Sequence, residues 1–260
     1  MLQLLMMWLP FIFALSVLAY ACVYDIKKRQ VSNRVWLFAY PIGFIISIAS
    51  VMFGLLDGVI VLVSVLAGVF LGVILFWSGY YGGADLKALI FIALTTPTIP
   101  AILNVSPALT LPALPLILTV FCNSVLLSLI WPLTIFALNL KDILKGKRMF
   151  EGIQLTISQK FWLFFTARQT SLEKLGGLKY FPAEQIDNQD GHIIRRPLRF
   201  VKAQTDLTKY LKDLNTHNHL YKKGVLASPT IPTIVFFTIA LAIVPLGNLF
   251  ILAVTLLGII

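Results

Sequence analysis

An aspartate and a lysine stand in Tyr80-Tyr81-Gly82-Gly83-Ala84-Asp85-Leu86-Lys87, between two long apolar runs. Ionisable groups at membrane depth cost roughly 2.5–3.5 kcal/mol each on insertion scales, so they mark function by default. The three small residues before Asp85 let another helix backbone approach closely. A second aspartate, Asp25, lies 60 residues earlier in Tyr24-Asp25-Ile26-Lys27-Lys28-Arg29-Gln30-Val31-Ser32-Asn33-Arg34. Two carboxylates brought together in a low-dielectric site cannot both ionise easily, so they share a proton near working pH. The ionised member can take a proton from water while the protonated one polarises a scissile carbonyl. That chemistry calls for no cofactor, no metal and no nucleophilic serine. The bland alternative is that each aspartate sits at a helix end as a salt-bridge partner for a basic loop.

What must position these residues follows from composition. The 260 residues are 58% hydrophobic and 12% charged, with mean hydropathy +0.89. Soluble domains run about 25% charged. The expected fold class is an all-α polytopic membrane protein. Six apolar runs approach the roughly 20 residues that span a bilayer core: 2–24, 36–53, 58–79, 85–101, 112–139 and 230–258. The fourth is short, and Pro115, Pro132 and Pro245 predict kinks in the last two. The first run lacks a basic segment ahead of it, so it reads as a retained helix rather than a cleaved signal.

Charge sets orientation. Lys27, Lys28, Arg29 and Arg34 follow the first run, Lys87 opens the fourth, and the other sixteen Lys and Arg lie between Lys141 and Lys223. The loop at Leu55-Leu56-Asp57-Gly58, the loop from Thr95 to Leu111 and the tail after Pro245 have none. The positive-inside rule then puts the 25–35 loop, the 80–87 turn and the 141–229 region in the cytoplasm and both termini outside. Between Asp25 and Asp85 the chain crosses out and back, so both carboxylates stand at the cytoplasmic edge. The +10 charge is thus read as topology, not as a nucleic-acid footprint. The expected organisation is a membrane domain over 1–140, a cytoplasmic insert over 141–229, and a last transmembrane helix over 230–260.

The insert is polar. Within it, Ile153 to Arg168 carries Phe161-Trp162-Leu163-Phe164-Phe165 between Lys160 and Arg168. This suits either an amphipathic helix on the inner membrane surface or a core helix of a small domain. His192 to Val201 reads as a strand and Asp206 to Leu220 as a short helix. Glu184, Asp187 and Asp190 could meet a basic peptide or simply be solvated. His217 and His219 look like a ligand pair, but only His192 is near in sequence, and a solvated surface is the simpler reading. Lys87 could act on Asp85 or snorkel to the interface. Cys22 and Cys122 are far apart in apolar runs and read as buried small hydrophobes.

Two stretches resemble a known family. Asp25-Ile26-Lys27-Lys28-Arg29-Gln30-Val31-Ser32-Asn33-Arg34-Val35-Trp36 and Gly82-Gly83-Ala84-Asp85-Leu86-Lys87 are similar to the two active-site motifs of type IV prepilin peptidases, most of all the archaeal preflagellin peptidases. The layout resembles them too, as does Ser228-Pro229-Thr230-Ile231-Pro232-Thr233-Ile234 ahead of the final helix. The resemblance implies an aspartic endopeptidase with Asp25 and Asp85 as the catalytic pair. It implies removal, at the cytoplasmic face, of a short basic leader from archaellin or pilin-like precursors in which a hydrophobic helix follows. Partners would be those precursors and the lipid bilayer, with no nucleic acid. Bacterial members often carry a cysteine tetrad and a methyltransferase activity; with two cysteines here, protease activity alone is implied. Ala84 replaces the second glycine of the family's Gly-x-Gly-Asp pattern, and the turn is expected to survive unless that position needs a positive φ.

Two other classes fit part of the pattern. Presenilin and signal-peptide-peptidase proteins use Tyr-Asp and Gly-x-Gly-Asp motifs, and Pro-Ala-Leu occurs here at 107–109 and 112–114. Both copies fall on the face opposite the aspartates, and that group has about nine spans. A small ion or proton transporter could use Asp25 and Asp85 as well, but such groups usually lie near the bilayer midplane within repeated halves, and no repeat is visible.

Overall fold

The computed structural model describes residues 2–79, 81–98, 115–175, 179–189, 192–198, 212, 216, 221, 224–244 and 248–256. The described chain opens with four helices, α1 (Leu2–Lys28), α2 (Asn33–Met52), α3 (Gly58–Ser78) and α4 (Gly83–Thr95). Then come α5 (Leu116–Ser128), α6 (Ile130–Leu144) and α7 (Ile157–Thr166). A mixed stretch follows: β1 (Arg168–Thr170), α8 (Leu172–Leu175), β2 (Tyr180–Pro182), β3 (Glu184–Gln189), β4 (His192–Pro197) and β5 (Val225–Pro229). It closes with α9 (Thr233–Ala242) and α10 (Leu249–Leu256). The chain divides into two compact units, Met1–Ser128 with Pro232–Ile260, and Leu129–Ile231.

Among the described residues, four helical stretches are long and apolar enough to cross a membrane: Trp8–Lys28 of α1, all of α2, all of α3, and the 29-residue run Leu116–Leu144. At 13 and 10 residues, α4 and α9 are shorter than the roughly 20 that span a bilayer core. Pro245, most of the Thr95–Leu111 loop and both Pro-Ala-Leu copies lie outside the described residues. Outward positions of α2 and α3 carry Leu37, Phe38, Phe44, Leu62, Leu66, Phe70 and Trp77, all exposed. An apolar surface of that extent suits lipid and would be a liability in water.

In the first unit α4 is the enclosed helix. Ala88, Leu89, Phe91, Ile92 and Ala93 are all fully buried. Phe91 is met edge-on by Phe13 of α1 and by Trp36 and Tyr40 of α2, at ring separations of 5.9–6.1 Å. The other side of α4 lies against the small-residue stripe Ser64, Gly68 and Gly72 of α3, spaced one helical turn apart. A helix this short in an apolar setting has terminal carbonyls that nothing within it can satisfy. Its neighbours supply the donors: Ser64 Oγ donates to Ala93 O at 2.9 Å and Ser47 Oγ to Leu94 O at 2.6 Å. Tyr40 Oη donates to Lys87 O at 2.8 Å near the other end. Two acceptors cap helix starts nearby, Ser32 for α2 and Asp57 for α3.

The second unit holds every described strand. β5 lies between β1 and β2 in an antiparallel sheet, and β3 and β4 form a separate hairpin. The strand expected from His192 is β4, which ends at Pro197; residues 199–201 and nearly all of the helix expected over 206–220 lie outside the described residues. Glu184 is fully buried, with Arg195 closing on it in a bidentate pair at 2.7 and 2.9 Å. Leu226 N donates to the same carboxylate at 2.7 Å, which ties the hairpin to β5. Arg195 also stacks over the Tyr221 ring, 4.6 Å from its centroid. Helix α7 opens on a capping box between Thr156 and Gln159. The buried Asn139 of α6 holds its far end, donating 2.8 Å bonds to Phe164 O and Ala167 O. Leu163 is the one buried residue of α7, while Ile157, Phe161 and Trp162 are 60–88% exposed.

Candidate active site

Asp85 is the third residue of α4, one turn from its start. Gly82 N donates to its Oδ2 at 2.8 Å, so the carboxylate caps its own helix. The positive end of the helix dipole favours an anion at that position. Ala84 lies in the first turn, and the residues with positive φ do not include Ala84, Gly82 or Gly83. The departure from Gly-x-Gly-Asp is therefore accommodated by an ordinary helical backbone.

Asp25 lies one turn before the end of α1 and is 9% exposed. Its Oδ2 accepts a 3.3 Å bond from Ile234 N, in the first turn of α9. A turn further along the same interface, Cys22 Sγ and Thr238 Oγ1 are 3.0 Å apart. These two contacts fix the register of α1 on α9 and aim a second helix N-terminus at the second carboxylate. Asp25 is near enough to Asp85 for its charge to act there. Each has one oxygen on a backbone N–H, which leaves the other oxygen for chemistry.

Sequence reasoning did not find Ile234, whose contribution is a main-chain N–H and so leaves no side-chain signature. The available signal was Pro232, the residue that starts α9. It also passed over Tyr81, in the turn between α3 and α4, whose ring stacks on Phe237 of α9 at 6.1 Å. Burial, and then the charge of Asp85, pushes its phenol up to about 12. Tyr81 is therefore a neutral hydroxyl near Asp85 at any physiological pH.

Other sequence candidates fall elsewhere. Lys87 Nζ donates to Asn33 Oδ1 at 2.6 Å in an exposed position, so it is held by α2. Glu184 is neither solvated nor available to a peptide, being sealed against Arg195 in the second unit. Asp187 is paired with Arg196 at 2.8 Å. Asp190, His217 and His219 lie outside the described residues, as does the side chain of His192. Cys22 and Cys122 are both free thiols, each partly buried.

Residues 12–133 match the model of the type IV leader peptidase family. The chain is similar to that family over this segment, which is just under half of its length. It is an aspartic-type endopeptidase of the prepilin leader-processing kind, and with its four apolar helices it is a membrane protein. No curated protein matches the chain closely enough to count as a relative. The matched segment contains both aspartates of the leader peptidase, together with α2, α3 and the helix α4 that they enclose. The donor from α9 lies beyond it.

Proposed function

We propose that this leader peptidase removes the short basic leader of archaellin or type IV pilin-like precursors at the cytoplasmic face of the membrane, with Asp25 and Asp85 as its catalytic pair. The reading is supported by two aspartates of the matched segment that are each held by a backbone donor at a helix start, Asp85 at α4 and Asp25 at α9, with Asp25 near enough for its charge to act on Asp85. In this reading the ionised aspartate takes a proton from the attacking water. Its protonated partner donates to the scissile carbonyl oxygen and then protonates the departing amine. Arg29, Lys27 and Lys28 directly after Asp25, and Lys87 after Asp85, support the cytoplasmic placement through the positive-inside rule. The same rule, with sixteen basic residues from Lys141 to Lys223, supports a cytoplasmic insert over 141–229. It also supports six crossings, with 1–140 and 230–260 contributing the membrane part.

The test is co-expression with a precursor carrying a basic leader ahead of a hydrophobic helix, with leader loss followed by gel shift. Asp25→Asn and Asp85→Asn are each expected to abolish processing while the protein stays in the membrane fraction. Processing retained in either variant would remove that residue from the pair. Cleavage within the hydrophobic helix rather than ahead of it would favour a presenilin-like reaction.

A further inference from the structure

Arg29 follows Asp25 by one helical turn and terminates α1, its N–H donating to Asp25 O at 3.0 Å. Its φ is 53°, and among the described residues it is the one non-glycine with positive φ. That position after a helix end normally falls to glycine, because a β-carbon is strained there. The side chain adds a second unfavourable feature. Nε and Nη1 of Arg29 are buried with no hydrogen-bond partner among the described residues. A guanidinium cannot shed its protons to escape this, so both N–H groups remain donors in want of an acceptor. Lys27 and Lys28, by contrast, are exposed.

The guanidinium is close enough to act on the charge of Asp25, yet the ion pairs among the described residues do not include it. Strain and unsatisfied donors on one residue beside a reacting group persist where the surroundings hold them for use. The acceptor must then arrive with the substrate. A basic leader offers side chains that an arginine repels. Its backbone offers carbonyl oxygens, and a peptide extended through an active site has carbonyls with no internal partner.

We infer that Arg29 is a substrate-binding residue, its buried Nε–H and Nη1–H donating to a backbone carbonyl oxygen of the precursor beside the scissile bond. The inference rests on the reading of Asp25 as half of the catalytic pair. Two consequences separate it from a structural role. Glycine at position 29 relieves the backbone strain while removing the donors, so stability and substrate binding move in opposite directions. Lysine retains the charge but offers a point donor in place of the fork.

The experiment uses the full-length enzyme in lipid nanodiscs and a full-length precursor with a basic leader, comparing Arg29→Gly, Arg29→Lys and the unaltered protein. Arg29→Gly is expected to unfold at the same temperature or higher. Its KM is expected to rise roughly 10- to 100-fold, the weight of one charged hydrogen bond, with kcat changed less. Arg29→Lys should fall between. An unchanged KM in Arg29→Gly overturns the inference, and so does a loss confined to kcat, which would put the guanidinium on Asp25 instead of substrate. A lowered unfolding temperature in Arg29→Gly also overturns it, by making the side chain a structural prop. Failure of the unaltered enzyme to cut the precursor would sink the reading of the pair and this inference with it.

Discussion

The most informative perturbation is a single methyl group on α3, far from any charge. A β-carbon built on Gly68 would overlap the β-carbon of Ala93 on α4 and come 3.3 Å from Leu89 O. Apolar carbons settle about 3.5–4.0 Å apart, so Gly68→Ala demands a separation of the two helices on the order of 1 Å. No side chain can rotate to absorb it, because the opposing atoms are a Cβ and the backbone. The helix displaced is the one that carries Asp85. A misplacement of about 1 Å in a catalytic group can cost about 100-fold in rate, and overpacking of this kind costs about 1–3 kcal/mol of stability. Gly72→Ala is the built-in control. Its added β-carbon meets Leu86 Cδ1 at 2.6 Å, but that is the far end of a flexible side chain, and the next atom, Leu86 O, is at an ordinary 3.5 Å. Rate of precursor cleavage in isolated membranes is the assay. The expected order is wild type, then Gly72→Ala close behind, then Gly68→Ala slower by about two orders of magnitude. Adding Ala93→Gly to Gly68→Ala moves the methyl across the interface and should recover most of the activity. A fully active Gly68→Ala, or a double variant no better than the single, would refute the claim that α3 sets the position of Asp85.

Further expectations concern the second unit. Glu184→Gln leaves Arg195 charged and half-paired in a buried site, for a loss of about 3–5 kcal/mol. It should show as rapid protease cleavage within 141–229, whereas Asp187→Asn, at a more exposed pair, should shift resistance by less than about 1 kcal/mol; equal behaviour of the two would discount the burial argument. Helix α7 is expected to lie in the lipid interface, since Ile157, Phe161 and Phe165 share one stripe and Phe165 rests on Phe136 of the apolar α6 at 4.9 Å. A spin label at Phe161→Cys, with Cys22 and Cys122 replaced, should be more accessible to oxygen than to a water-soluble relaxant in liposomes. The reverse preference would return α7 to the aqueous phase.

Much of the site could be read from residue types because the environment was so apolar that charge became informative. Asp25 and Asp85 stood out as ionisable groups bounding hydrophobic runs, and the parity of the expected crossings predicts one face for both. What the sequence could not convey was pairing through the backbone. The Ile234 N–H on Asp25 has no residue signature, and neither do the Ala93 and Leu94 carbonyls that draw Ser64 and Ser47 onto α4. Charge was a poor guide in the insert for the opposite reason. Glu184 sits in a polar stretch and looked solvated, because nothing local indicates that a β-hairpin register will bring Arg195 back over it. The stripe Ser64, Gly68 and Gly72 was visible in the sequence at four-residue spacing, but its partner was not. Helix packing partners are set by shape across 20 or more residues, which hydropathy does not record.

The bond from Ile234 to Asp25 also bears on when the enzyme comes into being. Asp25 belongs to α1 and its donor is 209 residues downstream. At ordinary rates of about 5–20 residues per second, the ribosome needs about 10–40 s to cover that interval. From Asp85 onward, a membrane-inserted chain with both aspartates synthesised still lacks the helix start that orients one of them. Chains terminated before α9 would thus be poor proteases, and activity would arrive only once α9 has been made.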